Sequence, residues 1–324
     1  MTPSLPPNPT HAEYDALRPN SSLWLQAMTT ICQRHNFPAE PLARFGDGTD
    51  GEYGTNIVYA LGQRHIIKLY PPFWKGLHAA ECSTLAHVSG KLSVTTPELL
   101  AQGDLDGWPY LIMTRLQGTP LNELWNTLDQ PTRLALVLEL ADLLARLHAL
   151  PTNTLTGLAS NWPAEIEQRV AGCVARHREQ GAPEHWLQQI PRFLALAAPL
   201  YPPNFHPAIV SGDTHQYHLF VQQYNGQYHL SGFFDFDDAC LGFAEYDLAA
   251  AALLMLARNP ALLRPFLLCY GYPTSALDVA LSRRLLAYTL LHRYRPFNWV
   301  RADFGDPACT TLDELAQVIY ALTP

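Results

Sequence analysis

The spacing of apolar residues changes several times along the chain, and each change predicts a different kind of element. From residue 42 to 70, and again from 97 to 114, apolar residues alternate or cluster in short runs between glycines, as in β-strands. The runs are Leu42–Phe45, Gly54–Leu61, His65–Tyr70, Pro97–Ala101 and Tyr110–Thr114, with turns at Gly62-Gln63 and over Gly103–Gly107. Between them, Lys75–Val88 has the spacing of one helix. Ahead of them, Ser22 is placed to cap a helix running to about Arg34. Residues 1–20, rich in Pro, Asn and Thr, predict a flexible arm. Beyond Gly118 the pattern turns helical, over Thr132–Leu147, Pro163–Gln180, Pro183–Leu200, Glu245–Leu256 and the stretches 260–270, 275–293 and 310–322. A β island interrupts it at Ile209-Val210, Leu219–Val221 and Tyr228–Phe234, with Asn225-Gly226 a strong two-residue hairpin signal. The prediction is an α+β chain. A small antiparallel β lobe with one helix takes residues 21–117, and a mainly helical lobe takes 118–324.

The β island carries the densest chemistry. Val210-Ser-Gly-Asp-Thr-His-Gln-Tyr-His-Leu-Phe-Val221 sets Asp213, His215 and His218 in a polar loop between two short strands. The returning strand delivers Asp235 at its end, so two carboxylates lie just outside the ends of neighbouring strands. One carboxylate to receive a hydroxyl proton and another to hold Mg2+ are the equipment of phosphoryl transfer. Taken alone, Asp213 is equally at home as a turn cap, and Asp235–Asp238 as a solvated acidic turn. Lys68, in the alternating run Ile66-Ile-Lys-Leu69, reads either as an exposed rung or as a phosphate-binding lysine. In the second case it needs a carboxylate from the following helix, and Glu81 is the only acid in Lys75–Val88. Gly46-Asp-Gly-Thr-Asp-Gly51 spells Gly-x-Gly-x-x-Gly, but a β-rich hairpin follows it where a dinucleotide fold requires a helix. Strand, glycine loop, strand, turn and strand is instead the order of a kinase-like small lobe.

Composition narrows the function classes. A net charge of −8 argues against nucleic acid as the main partner and is compatible with a cationic one. The six cysteines are scattered without metal spacing, as free thiols in a reducing compartment would be. No signal peptide and no membrane-length apolar run is evident, so the expectation is a cytoplasmic protein without a membrane partner.

The loop Ser211-Gly-Asp-Thr-His-Gln-Tyr-His-Leu-Phe-Val221 resembles the catalytic loop of the aminoglycoside phosphotransferase and choline kinase-like family. Phe234-Asp-Phe-Asp-Asp-Ala239, Gly242 and Tyr246-Asp-Leu-Ala249 resemble its metal-binding segment and the helix after it. The match is dense over 209–249 and looser over 42–322. The resemblance implies a bilobal, protein-kinase-like fold and an ATP-dependent phosphotransferase acting on a hydroxyl of a small molecule, with GTP not excluded. The acceptor could be an antibiotic, an amino alcohol or a sugar. Asp213 would then orient and deprotonate that hydroxyl, and Asp235 and His218 would hold Mg2+. Lys68, placed by Glu81, would fix the phosphates, with backbone near Gly51 and Thr55 beside them. Backbone of Thr114 to Leu116 would meet the adenine edge, and Met113 is a gatekeeper or plain core. Asp247 would brace the catalytic loop, and His148 would serve as a structural partner. Two departures stand out. Ser211 replaces the family's usual histidine, and His218 its second metal-binding asparagine, so tolerance of Mn2+ is expected. They also motivate an alternative, a nucleotide-binding pseudokinase that regulates a partner. For the acceptor, the acidic balance leans to a cationic molecule that Glu165, Glu167 or Glu184 could meet, and the aromatic content to a bulky one. The aromatic and basic stretch 292–301 either lines the acceptor pocket or is core with snorkelling arginines.

Overall fold

Short runs of β-branched and aromatic residues, separated by tight turns, pair into one antiparallel sheet. In the computed structural model, which describes residues 5–45, 55–159, 161–292 and 295–322, the chain begins with α1 (His11–Leu17) and α2 (Ser21–Arg34). There follow β1 (Leu42–Phe45), β2 (Ile57–Leu61), β3 (His65–Leu69), α3 (Lys75–Val88), β4 (Leu99–Leu105) and β5 (Trp108–Thr114). The strands lie in the order β1-β2-β3-β5-β4. Ile67 of β3 enters an apolar core with Tyr14, Trp24, Met28, Trp108 and Ile112. Successive strand residues face opposite ways, so Lys68 points to the other face, where α3 presents Glu81.

Three local expectations are corrected. Residues 5–20 are packed, not a loose arm. Tyr14 is only 1% exposed among the rings of Phe73, Trp74 and Trp108, and the Trp108 indole donates to the Pro6 carbonyl at 2.8 Å. Composition reads this segment as loose because the aromatic partners that hold it are far away in sequence. The cap of α2 is Asn20, whose side chain accepts from the Leu23 N–H at 3.1 Å, and Ser22 lies within the helix. The strand β4 continues through Leu105, and the turn shrinks to Asp106-Gly107, both in the left-handed region.

The second half runs β6 (Thr119–Pro120), α4 (Leu121–Leu124), α5 (Gln130–His148), α6 (Trp162–Glu179), α7 (Glu184–Leu187) and α8 (Ile190–Ala197). Then come β7 (Ala208–Val210), β8 (Leu219–Tyr224), β9 (Gln227–Phe233), β10 (Cys240–Gly242) and α9 (Glu245–Leu254). It ends with α10 (Pro260–Tyr270), α11 (Val279–Leu291), α12 (Phe297–Phe304) and α13 (Leu312–Tyr320). The helix expected over 183–200 is broken into α7 and α8, and α8 restarts with Pro191 in its first turn. The buried helix α11 packs against α6, α8, α9 and α13. The strands β7 and β10 pair antiparallel, and Asn225 and Gly226 both take positive φ, as a tight hairpin demands.

The chain divides into two units. The first comprises residues 1–117, 155–158 and 232–239, and the second the remainder. Asp235 and Asp237 therefore belong with the β sheet, where the Phe233 N–H donates to the Thr95 carbonyl at 3.0 Å. No described helix is long and apolar enough to cross a membrane.

Candidate active site

In the first unit, one ammonium serves three carboxylates. Lys68 Nζ lies 2.8 Å from Glu81 Oε2, 2.8 Å from Asp235 Oδ1 and 2.9 Å from Asp237 Oδ2. The Tyr70 hydroxyl also donates to Glu81 Oε2, and Asn56 Nδ2 donates to Asp237 at 2.9 Å. Burial works against the lysine charge, but Asp235, Asp237 and Glu81 outweigh it and hold Lys68 well above its usual pKa. Glu81 moves the other way: burial pushes it up to about 7 despite the lysine, and the two aspartates add to the shift. The two partners differ because the carboxylates dominate at the lysine and burial dominates at Glu81. Asp235 has φ +70°, a left-handed backbone that Asp tolerates better than most residues.

The sequence singled out Lys68, Glu81 and Asp235, and the structure brings them together. It missed Asp237, Tyr70 and Asn56. Period two was the available signal for the first two, since Asp237 follows Asp235 and Tyr70 follows Lys68 by two residues. The other nucleotide-side expectations fare differently. Gly51 lies outside the described residues. The Thr55 carbonyl accepts from the Tyr14 hydroxyl at 2.9 Å. The Thr114 N–H donates to the Glu98 carbonyl at 3.0 Å, and Leu116 is buried. Met113 is buried.

Oxygen atoms of Glu81, Asp235 and Asp237 lie within 4.8 Å of one another. They are hard oxygen donors gathered around one ammonium. The residues present therefore fit Mg2+.

In the second unit, the loop after β7 is held from behind. Asp247, in the first turn of α9, accepts from the N–H and hydroxyl of Ser211 and the N–H of Gly212, each at 2.9 Å. It also faces His148 Nε2 at 3.1 Å, while His148 Nδ1 meets the Tyr270 hydroxyl at 2.8 Å. Gly212, at φ +89°, makes the bend that a side chain would strain.

Asp213 is gripped on both oxygens. Its Oδ2 faces His215 Nε2 at 3.2 Å, and its Oδ1 accepts from Arg295 Nη2 at 2.6 Å. His218 Nδ1 bonds the Asp213 carbonyl at 2.7 Å, and His292 Nε2 the Gly212 carbonyl at 2.8 Å. His215 Nδ1 accepts from the Tyr217 N–H, so the network assigns its proton to Nε2 and makes it a donor to Asp213. His218 has the opposite arrangement. With its proton on Nδ1, the lone pair sits on Nε2, the pattern of a metal-binding imidazole. Burial works to raise the Asp213 carboxyl, but the His215 bond and the charges of His215, Arg295 and His218 hold it well below the usual range. Burial lowers the pKa of His215, and burial with Arg295 pushes His292 down to about 4. Arg295 and His292 had no assigned role in the sequence reading. The only signal was the basic, aromatic run 292–301.

The arrangement sets a carboxylate held below the usual range in one unit and an ammonium bonded to three carboxylates in the other. A family model described as the phosphotransferase enzyme family matches residues 54–286. Among solved structures, the chain is similar to APH(2")-IIia in its GDP and kanamycin complex, at 18% identity and a TM-score of 0.65 over 82% of this chain and 89% of that one. It is also similar to APH(2")-IIa in a streptomycin–ATP ternary complex, at 15% identity and a TM-score of 0.59 over 89% and 97%. A third is the aminoglycoside phosphotransferase APH(3'')-Id from Streptomyces rimosus, at 18% identity and a TM-score of 0.58 over 83% and 98%. At such identities the structural likeness is one of fold. The family match runs from the strands that carry Lys68 to the helices behind Asp213, and by it the chain belongs to the phosphotransferase enzyme family, as a small-molecule kinase with a protein-kinase-like fold.

Proposed function

We propose that the protein moves the γ-phosphoryl group of ATP, or of GTP, onto a hydroxyl of a small molecule, with Asp213 as the residue that receives the hydroxyl. The observation that carries this is the grip on Asp213. A carboxylate kept ionised and aimed by donors on both oxygens suits a reaction in which positioning outweighs proton abstraction. Lys68, steadied by Glu81, would hold the nucleotide phosphates. Asp235, with Asp237, would hold a Mg2+ ion, and His218 Nε2 is the atom suited to a second ion. Such a cation, when bound, neutralises phosphate charge.

The substitution at 211 does not favour a pseudokinase, since the Ser211 hydroxyl bonds Asp247 and Thr214 and so performs the bracing that the loop needs. The test is phosphate transfer from ATP and from GTP to a panel of hydroxylated acceptors, in wild type and Asp213→Asn. Acceptor-stimulated turnover that disappears in the variant supports the reading. Nucleotide binding without turnover on any acceptor shifts the weight to the regulatory alternative.

A further inference from the structure

A second set of metal-type ligands, other than the oxygen cluster around Lys68, lies in the loop after β7. Asp213, His215 and His218 each offer one ligand atom, and these atoms lie within 4.8 Å of one another. Local backbone geometry gathers them. The His218 N–H donates to the His215 carbonyl at 2.9 Å and closes a single 3-10 turn over Gln216–His218. With three residues per turn, positions three apart stand on one side. The two imidazoles accordingly come together, with ring centres 4.2 Å apart and planes 37° from parallel. Asp247 braces the start of the loop from behind, so the set is held before any ion arrives.

The spacing suits a small ion bonded to nitrogen. His215 Nε2 and Asp213 Oδ2 are 3.2 Å apart. Two ligand atoms on a tetrahedral Zn2+ stand about 3.3 Å apart, since each lies about 2.0 Å from the metal. An ion can therefore replace the proton of this bond with little movement of either side chain. The displaced proton moves to His215 Nδ1 and breaks the bond from the Tyr217 N–H, which is long at 3.3 Å. His218 Nδ1 donates to the Asp213 carbonyl at 2.7 Å, which fixes the tautomer with the lone pair on Nε2. A side-chain rotation of His218 then completes the set. Both partners of the first bond are nearly withdrawn from water, His215 at 9% and Asp213 at 18% exposure. Arg295, 2.6 Å from Asp213 Oδ1, opposes any cation by its charge. That opposition weighs most against Mg2+, which relies on oxygen ligands, and least against an ion that also gains from imidazole nitrogen.

We propose that Asp213, His215 and His218 form a site for a nitrogen-preferring divalent metal, Zn2+ fitting best, and that an ion bound there withholds the Asp213 carboxylate from the acceptor hydroxyl. The site itself is independent of the reaction, and its effect on turnover rests on the phosphotransfer reading above.

The test uses the untagged full chain and Co2+, whose visible absorption is strong in a tetrahedral site with nitrogen ligands and weak among six oxygens. Mg2+ is kept in excess to occupy the carboxylates around Lys68. The expected result is a strong absorption that added Zn2+ abolishes. His215→Gln lowers the Co2+ affinity at least about tenfold. His218→Gln does the same, which covers the case in which the first variant does not fold. Absence of the strong absorption, or its survival at wild-type affinity in either variant when folded, overturns the proposal. Acceptor-stimulated turnover falls at the Zn2+ concentrations that displace Co2+, and a chelator restores it. Turnover unaffected when Zn2+ fills the site overturns the inhibitory role. The Co2+ absorption without turnover on any acceptor upholds the metal site and counts against phosphotransfer alone.

Discussion

The two clusters have opposite charge patterns. Around Lys68, three carboxylates crowd one cation. Around Asp213, one carboxylate is surrounded by an arginine and three histidines. In the first, three carboxylates share one ammonium and suit a divalent cation; in the second, one carboxylate is held by a guanidinium and by imidazoles of which burial keeps His215 and His292 from charging. The difference also explains why Glu81 is pushed toward protonation while Asp213 is kept ionised, although both are largely buried acids.

The largest effect is expected where the first cluster loses Lys68. In Lys68→Met, Glu81, Asp235 and Asp237 lose the ammonium they share, and breaking a buried pair of this kind costs about 3–5 kcal/mol. Urea denaturation measures the loss, and a second change, Glu81→Gln, restores part of it. A variant as stable as wild type would mean that the carboxylates do not depend on Lys68.

Next comes Asp213→Asn, which keeps the shape of the side chain but removes the charge that Arg295 and His215 hold in place. Acceptor-dependent kcat falls roughly a hundredfold to ten-thousandfold. A loss of less than about tenfold would show that orientation by the loop suffices without the carboxylate.

The pH dependence of stability separates the clusters by sign. Glu81 has a folded pKa of about 7, raised from 4.5, so its contribution is complete below 4.5 and is lost as pH rises toward 7. His292 has a folded pKa of about 4, lowered from 6.5, so its contribution is complete above 6.5 and is lost as pH falls toward 4. Over the same window, Glu81→Gln should therefore make stability fall more steeply on acidification, and His292→Gln should flatten the fall. Melting temperatures between pH 4 and pH 7 for both variants check this. If both variants tilt the curve in the same direction, the contrast between the clusters fails.

The smallest effect is expected at His218. His218→Asn exchanges an imidazole nitrogen for an amide oxygen, so the Mg2+ response should strengthen relative to Mn2+ by a modest factor. Metal titrations of both proteins decide it, and identical preferences would remove His218 from the metal assignment.

The parts of the molecule legible in sequence were those in which chemistry and local geometry share a short stretch. The loop from Ser211 to His218 could be read in this way. So could the Asn225-Gly226 hairpin, because two positive-φ residues leave a direct mark on sequence. Helix α3 followed from its spacing, and with it Glu81 as the only acid available to Lys68. What could not be read depends on distant partners. Arg295 reaches Asp213 across 82 positions, and nothing in the loop foretells it. The segment 5–20 looked loose because Trp108, which receives it, lies about a hundred residues away. Backbone commitments, such as the bond from the Thr114 N–H to the Glu98 carbonyl, have no sequence signature.

The left-handed backbone at Asp235 has a consequence for how this position can vary. Of the two acidic amino acids, aspartate is the one enriched in that conformation, and asparagine and glycine are the other residues that adopt it readily. Glutamate would keep the charge and be refused by the main chain, while asparagine would fit the main chain and lose the charge. Drift at position 235 is thus confined by geometry before chemistry is consulted. Asparagine at 235 would keep the main chain while removing one of the three carboxylates that Lys68 serves, so its effect reaches the Lys68 cluster as well as any bound cation.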